Sequence, residues 1–332
     1  MISTVESTVA EIYADHRDPT GAVWSPALWS ALETGGFTLL GVPESRGGSG
    51  GDLGDAATVI RQAGRFAAPI PVVESTLLAA WLLARACLEV PHGPMSVAFA
   101  DAALPSGAFT LRDVPWGGIA ERVVIVSGTS VFCVSDRPER VIERTRMSPE
   151  PIAELSYAAD ALGAPLPLPD GTAAELRLRG ALGAALLISG ALERLLELAV
   201  DHARSREQFG RPIARFQAVQ HNLARLAEEV EAARVACAAA VAAVSAGPGE
   251  FQVRVAKIRA GEAAGTAAAL AHQVHGALGF TDEFPLAALT RRLYAWRDRY
   301  GSESFHADAL GESIVAAGAD ALWPAMTPPA VS

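Results

Sequence analysis

Two short runs of the chain carry residue types that could hold a ligand. The first is Ser205 to Gln220, SREQFGRPIARFQAVQ. Gly210 ends one helix, Pro212 restarts another, and Arg204, Arg206 and Arg211 crowd the corner between them. A cationic corner beside the free N–H groups of a new helix can hold a phosphate or pyrophosphate. The plainer reading is that these arginines pair with Glu207 and solvent, which stabilises little. The second run is Gln273 to Leu286, QVHGALGFTDEFPL. Gly276 and Gly279 let the backbone turn sharply or approach a ligand closely, and Gln273 offers both a donor and an acceptor. On spacing alone the run is equally a helix C-cap followed by a loop. His272 and His275 flank Gln273 with no partner carboxylate in view, so packing or a backbone hydrogen bond is expected of them.

Acid–base chemistry needs a placed carboxylate, and few are on offer. Glu303 stands near the start of a last helix, where an exposed glutamate is the ordinary finding. Glu193 and Glu197 lie one turn apart and should form a solvated face with Arg194. Cys87, Cys133 and Cys237 are far apart with no CxxC spacing, so they read as buried free thiols rather than a metal site or disulfide framework.

The elements that position these residues fall into three segments. Residues 1–92 read as helical: Ser25-Pro26 is a helix start, Gly35-Gly36 a stop, Asp52 or Asp55 a second cap, and Val73 to Leu88 a third helix. Residues 93–170 change texture to short β-branched runs such as ERVVIVSG and TSVFCVSD, expected to form a small β domain. Residues 171–332 are helical again, with four long helices near Ala173–Ser205, Pro212–Cys237, Phe251–His275 and Leu286–Arg299. In the second of these, Phe216, Val219, Leu223, Leu226, Val230, Ala233 and Cys237 step by three and four, a seam that faces another helix. The expected fold is therefore mainly α with a small β domain, ending in an antiparallel four-helix bundle.

Composition narrows the partners. A net charge of −10 lacks the basic footprint that nucleic acid or an anionic membrane requires. The N-terminal run is acidic early and does not read as a signal peptide. The most apolar run, Gly180 to Leu192, is too short for a bilayer span. A cytoplasmic protein is expected.

Taken together, the sequence resembles the acyl-CoA dehydrogenase family. The likeness is carried by LWSALETGGFTLLGVPESRGGSGGDL, by Arg206-Glu207-Gln208-Phe209-Gly210 with Phe216 to Gln220 after it, and by Gln273, Gly276, Gly279, Phe280 and Pro285. It implies FAD, α,β-dehydrogenation of a CoA thioester with a glutamate as base, and a flavin bound at a subunit interface. Arg206 matches the pyrophosphate arginine, Gln208 and Phe209 stand beside it, and Gln217 flanks the adenosine. Gln273 and Gly276 match the turn at the ADP end. All six would be given to a neighbour's flavin.

Three departures shape the expected function. The threonine–glutamate–proline loop near the flavin ring and the later tryptophan–isoleucine–threonine-like strand are missing. The position of the usual glutamate falls at Tyr300, before Gly301-Ser302, and a tyrosine is a poor base at neutral pH. The alternative base position on the first bundle helix, LRGALGAALLISG, has no carboxylate. No catalytic residue is expected in this chain. It resembles the short subunits of two-gene, actinobacterial steroid-catabolism dehydrogenases, also in its Trp296 to Glu303 ending. That implies a heterotetramer in which a second family subunit does the chemistry. Two alternatives are a self-sufficient enzyme with Glu303 as base and a flavin-free helical assembly protein.

Overall fold

The computed structural model describes residues 4–17, 23–100, 104, 107–134, 137–144, 150–281 and 284–327. Met1 to Ser3, Asp282 and Glu283 of the second candidate run, and the end of the chain after Thr327 lie outside them.

Helices α1 (Thr4–Asp15), α2 (Pro26–Thr34) and α3 (Leu53–Arg65) open the chain. Ser25 caps α2 by accepting from the Leu28 N–H, with Pro26 at the first helical position. Asp52 and Asp55 cap α3 jointly, each side chain accepting from the other's backbone N–H. The expected helix from Val73 is a π-helix over Val73–Ala80 that runs into the short α4 (Trp81–Arg85).

The strands form two small sheets. β1 (Met95–Ala100), β3 (Arg122–Ser127), β4 (Ser130–Val134) and β7 (Leu166–Pro167) lie in the order β1-β3-β4-β7. β2 (Phe109–Pro115), β6 (Ile152–Tyr157) and β5 (Arg140–Arg144) form the other. β1 runs parallel to β3, and the remaining pairs of these sheets are antiparallel. Alternation divides β3 between two cores. Val123 and Ile125 pack with Phe109, Leu111 and Leu155 of the second sheet, while Val124 and Val126 join the helical core.

The helical end consists of α5 (Thr172–Ser205), the two-residue strands β8 (Glu207–Gln208) and β9 (Arg211–Pro212), then α6 (Gln217–Ala246), α7 (Glu250–His275), α8 (Pro285–Asp298), α9 (Glu303–Ala317) and α10 (Leu322–Met326). α5, α6, α7 and α8 make the expected bundle, with α9 laid on α7. The α6 seam buries Leu226, Val230, Ala233 and Cys237. Among the described residues no helix is long and apolar enough to cross a membrane.

Two expectations fail here. Glu193 is not part of a solvated face: it receives Arg61 at 2.8 Å and Arg65 at 3.6 Å, fastening α3 to α5. The register that places Arg61 opposite it comes from a residue 132 positions away, which spacing within α5 could not reveal. The thiols are free, but only Cys237 is buried; Cys133 is half-buried and Cys87 exposed. Burial pushes the Cys237 thiol up to about 12.

Candidate functional site

The first run is a hairpin rather than a helix restart. α5 ends at Ser205, and the Arg206 N–H still bonds the His202 carbonyl at 2.9 Å. β8 and β9 then pair across Phe209-Gly210, whose φ angles are +53° and +74°. Two successive left-handed residues are the backbone of a tight hairpin turn. Glycine adopts that conformation freely, whereas phenylalanine does so rarely. The result holds the Phe209 ring in solvent, 91% exposed, edge-on to Phe216 at 6.1 Å. Arg211 lies over the Phe216 ring at 4.3 Å. Arg204, Arg206 and Arg211 are exposed, and among the described residues none forms an ion pair, with Glu207 or any other carboxylate. Gln208 sits in the hairpin and Gln217 is the first residue of α6, both exposed.

The second run is a helix end with a 3-10 turn, Gly276–Phe280. Gly276 has φ +61°, and a Cβ there would meet nothing within 4 Å, so its backbone is open to an approaching group. Gln273 is exposed on α7 and borders a shallow cavity of about 490 Å3 with Ala269, His272, Phe280 and Tyr294. The flanking histidines are packed, as expected. His275 Nδ1 lies 2.7 Å from the Ala271 carbonyl, and His272 Nε2 lies 3.1 Å from Thr290 Oγ1.

One contact brings the two runs together. His202 of α5 stacks on His275 of α7 at 4.6 Å, and Phe284 packs against both rings. The Arg206 corner and the Gln273–Gly276 turn therefore share one end of the bundle. Burial, with the neighbouring positive groups His275 and Arg206, holds His202 below its ordinary range. Burial also lowers His272 and His275. An anionic group at this end would meet free guanidinium groups, an amide and open backbone.

The position expected for a base is closed. Tyr300 has φ +57°, its hydroxyl donates to Glu74 Oε1 at 2.8 Å, and a Cβ on Gly180 would stand 2.5 Å from its ring. Burial and the adjacent Glu74 carboxylate hold the phenol far above its ordinary range, so it stays protonated at neutral pH. Arg299 bridges Glu74 at 2.8 Å and Glu150 at 2.6 Å. Glu150 also accepts from Trp296 Nε1 at 2.5 Å and faces Arg292 at 3.7 Å. Glu303 does begin a helix, capped by Ser302, but it is not a surface group. Its side chain is 16% exposed, lies against Gly261 of α7 and accepts from Arg297 Nε. Beside it the fully buried Lys257 donates to the carbonyls of Arg297 at 2.5 Å and Gly301 at 2.8 Å. Desolvation brings that amine down to about 8.

Sequence reasoning missed Glu74, Glu150, Lys257 and Arg299. One signal was available: Glu74 is the lone charge in the apolar run Ile70 to Leu83, and a charge so placed needs a partner.

Residues 177–315 match the family described as "Acyl-CoA dehydrogenase, C-terminal domain". The chain is 33% identical over 313 residues to Acyl-CoA dehydrogenase IpdE2 of Mycobacterium tuberculosis, covering 87% of this chain and 90% of that protein. Its fold is similar to the ChsE4-ChsE5 complex from Mycobacterium tuberculosis, with a TM-score of 0.82 at 23% identity over 94% of this chain and 96% of the other. A variant of the Tcur3481-Tcur3483 steroid ACAD superposes with a TM-score of 0.80 at 22% identity, over 94% and 97% of the two chains.

Proposed function

The chain belongs to the acyl-CoA dehydrogenase family, oxidoreductases acting on a CH–CH pair, and from that premise we propose that it is the non-catalytic subunit of a heteromeric enzyme. Its bundle end completes the ADP side of an FAD whose ring is held by a second family subunit. The observation that carries this reading is the contrast between two places in one chain. The anion-binding end is free and exposed, while the base position is filled by Tyr300 locked onto Glu74.

Among the described residues, those that fit FAD lie at one end. Arg206 would meet the pyrophosphate, with Gln208 and Phe209 beside it, Gln217 towards the adenosine, and Gln273 and Gly276 at the ADP turn. FAD, when bound, supplies acceptance of the hydride that leaves the acyl β-carbon. At the ring end no such set is found among the described residues: the first sheet packs directly on the helical core through Met95, Val97, Val124 and Val126, and Arg299, Glu74 and Glu150 close the space beside Tyr300. This chain's work is therefore to neutralise and orient the diphosphate, and the proton of the α-carbon falls to a carboxylate of the partner. The proposed substrate is a bulky, steroid-derived CoA thioester, in line with the similarity to a steroid ACAD. A self-sufficient enzyme using Glu303 is disfavoured because Arg297 already engages that carboxylate.

The test is flavin absorbance per chain, measured for this chain alone and after co-purification with a candidate second subunit of the acyl-CoA dehydrogenase family. Flavin is expected only in the pair. Arg206→Ala should weaken retention by about 1.5–3 kcal/mol, the size of a charge-assisted hydrogen bond, with the circular dichroism unchanged. Full flavin occupancy of this chain alone, or an unaltered affinity in the mutant pair, overturns the reading.

A further inference from the structure

Of the chain's 27 lysines and arginines one is a lysine, Lys257, and it is fully buried. It shares a face of α7 with Arg254 and Gly261, spaced three and four residues from it. That face seats the turn between α8 and α9. The Lys257 ammonium donates to the carbonyl of Arg297, in the last turn of α8, at 2.5 Å and to that of Gly301 at 2.8 Å. Arg254 Nη1 lies 3.3 Å from His306 Nδ1, and His306 Nε2 lies 2.9 Å from the Tyr300 carbonyl. A guanidinium only donates, so Nδ1 accepts, and the proton on Nε2 is donated to Tyr300. Two buried side chains thus hold three carbonyls of one turn. The turn needs holding, because Tyr300 and Gly301 have φ angles of +57° and +103° in succession. A tyrosine adopts a left-handed backbone rarely, and keeps it where its surroundings fix it.

Stability alone does not call for a lysine here. Burial disfavours its charge, with Glu303 and then Asp298 acting against that effect. A methionine would fill much the same space without that cost, but it could not hold two carbonyls. An arginine would spread its donors over a planar fork, where here one nitrogen meets both oxygens. Building on the reading of this chain as the non-catalytic subunit, we infer that Lys257 is the positioning residue of the closed base position. It pins the backbone on both sides of Tyr300, so that the phenol stays on Glu74 and fills the space beside Gly180. Without it the turn relaxes toward the right-handed region and the phenol leaves Glu74.

The experiment is nitration of the full chain by tetranitromethane, mapped by peptide mass. The reagent attacks the phenolate, whose supply rises as a phenol returns toward its ordinary pKa of about 10. In the wild type Tyr300 should resist, because burial and Glu74 keep it protonated. The exposed Tyr294 should react, and the buried Tyr13 and Tyr157 should not. Lys257→Met should raise nitration of Tyr300 at least tenfold while Tyr13 and Tyr157 stay protected, a selectivity that a merely structural role would not give. Lys257→Gln keeps an N–H donor one atom shorter and should give a smaller rise; it decides the matter should the methionine variant fail to fold. Tyr300 as resistant in the folded variant as in the wild type overturns the inference. So does ready nitration of Tyr300 in the wild type. Exposure of Tyr13 and Tyr157 along with Tyr300 also overturns it, since Lys257 would then hold the fold as a whole. The measurement needs neither flavin nor partner, so flavin retention in the pair still tests the proposed function separately.

Discussion

The Tyr300 hydroxyl donates to Glu74 Oε1 at 2.8 Å across 226 residues of sequence, and the phenol ring takes the space a Cβ on Gly180 would need. The contact ties the π-helix Val73–Ala80 to the loop between α8 and α9 and to the first helix of the bundle. It also belongs to a charge cluster, because Arg299 beside Tyr300 binds both Glu74 and Glu150. An acyl pocket needs room and an unengaged carboxylate at its α-carbon. Here a ring occupies the position, and the carboxylate below it is engaged.

Gly180→Ala should destabilise the chain by about 1–3 kcal/mol, because the added methyl must displace the Tyr300 ring or shift α5. Urea unfolding measures it. Combining it with Tyr300→Leu should recover part of the loss relative to Tyr300→Leu alone, since the two sites share one space. An unchanged midpoint in Gly180→Ala would mean the ring moves aside freely and the position is not closed.

Arg299→Ala should cost more, about 3–5 kcal/mol, since it leaves two buried carboxylates without their common cation. Burial already raises Glu74, with Arg299 acting against that rise. Removing the arginine should lift the folded-state pKa of Glu74 further above its unfolded value. Such a group binds more protons when folded, so the stability it contributes is lost as pH rises. The variant should therefore be less impaired near pH 5 than near pH 8, as denaturation at the two values would show.

The elements whose cause is local were legible in the sequence. Ser25-Pro26 and Asp52-Asp55 cap helices as their types dictate, and the three–four spacing from Val219 to Cys237 faces a neighbouring helix. The Arg206 corner was legible as a cationic turn, although its β-hairpin was not: nothing in the residue types requires Phe209 to adopt a left-handed backbone. The cluster of Glu74, Glu150, Arg299 and Tyr300 was hidden for a different reason. Its members are far apart in the chain, and which charges meet depends on how three segments pack. Glu303 was misread the same way, its partner Arg297 being set by the turn between α8 and α9.

Acid should loosen the end of the bundle where the Arg206 corner and the Gln273–Gly276 turn meet. His202, His272 and His275 are all held below the ordinary histidine value, chiefly by burial. Their unfolded forms take up protons near pH 6.5 while the folded forms still resist. The stability they contribute is complete above that pH and is lost as pH falls through the depressed folded values. The thermal midpoint should drop between about pH 7 and 5, and His202→Gln with His275→Gln should flatten that drop. An identical slope in the double variant would place the acid sensitivity elsewhere.

Glu303→Gln should leave turnover of the reconstituted pair within a few-fold of wild type. A base that takes the α-proton of a thioester must reach that carbon with a free carboxylate, and losing one costs roughly 10²–10⁴ in rate. Glu303 is differently employed. It begins α9 behind the Ser302 cap, accepts from Arg297 and lies against Gly261 of α7. Lys257, on the same helix, holds the carbonyls of Arg297 and Gly301, so the carboxylate faces a packed cationic corner. Neutralising it should therefore appear as a lower thermal midpoint of this chain, because Arg297 loses its anion, while the rate is kept. Steady-state dehydrogenation with an artificial electron acceptor, at equal flavin content, separates the two effects. A thousandfold loss of rate with flavin intact would make Glu303 the base and this chain the catalytic subunit.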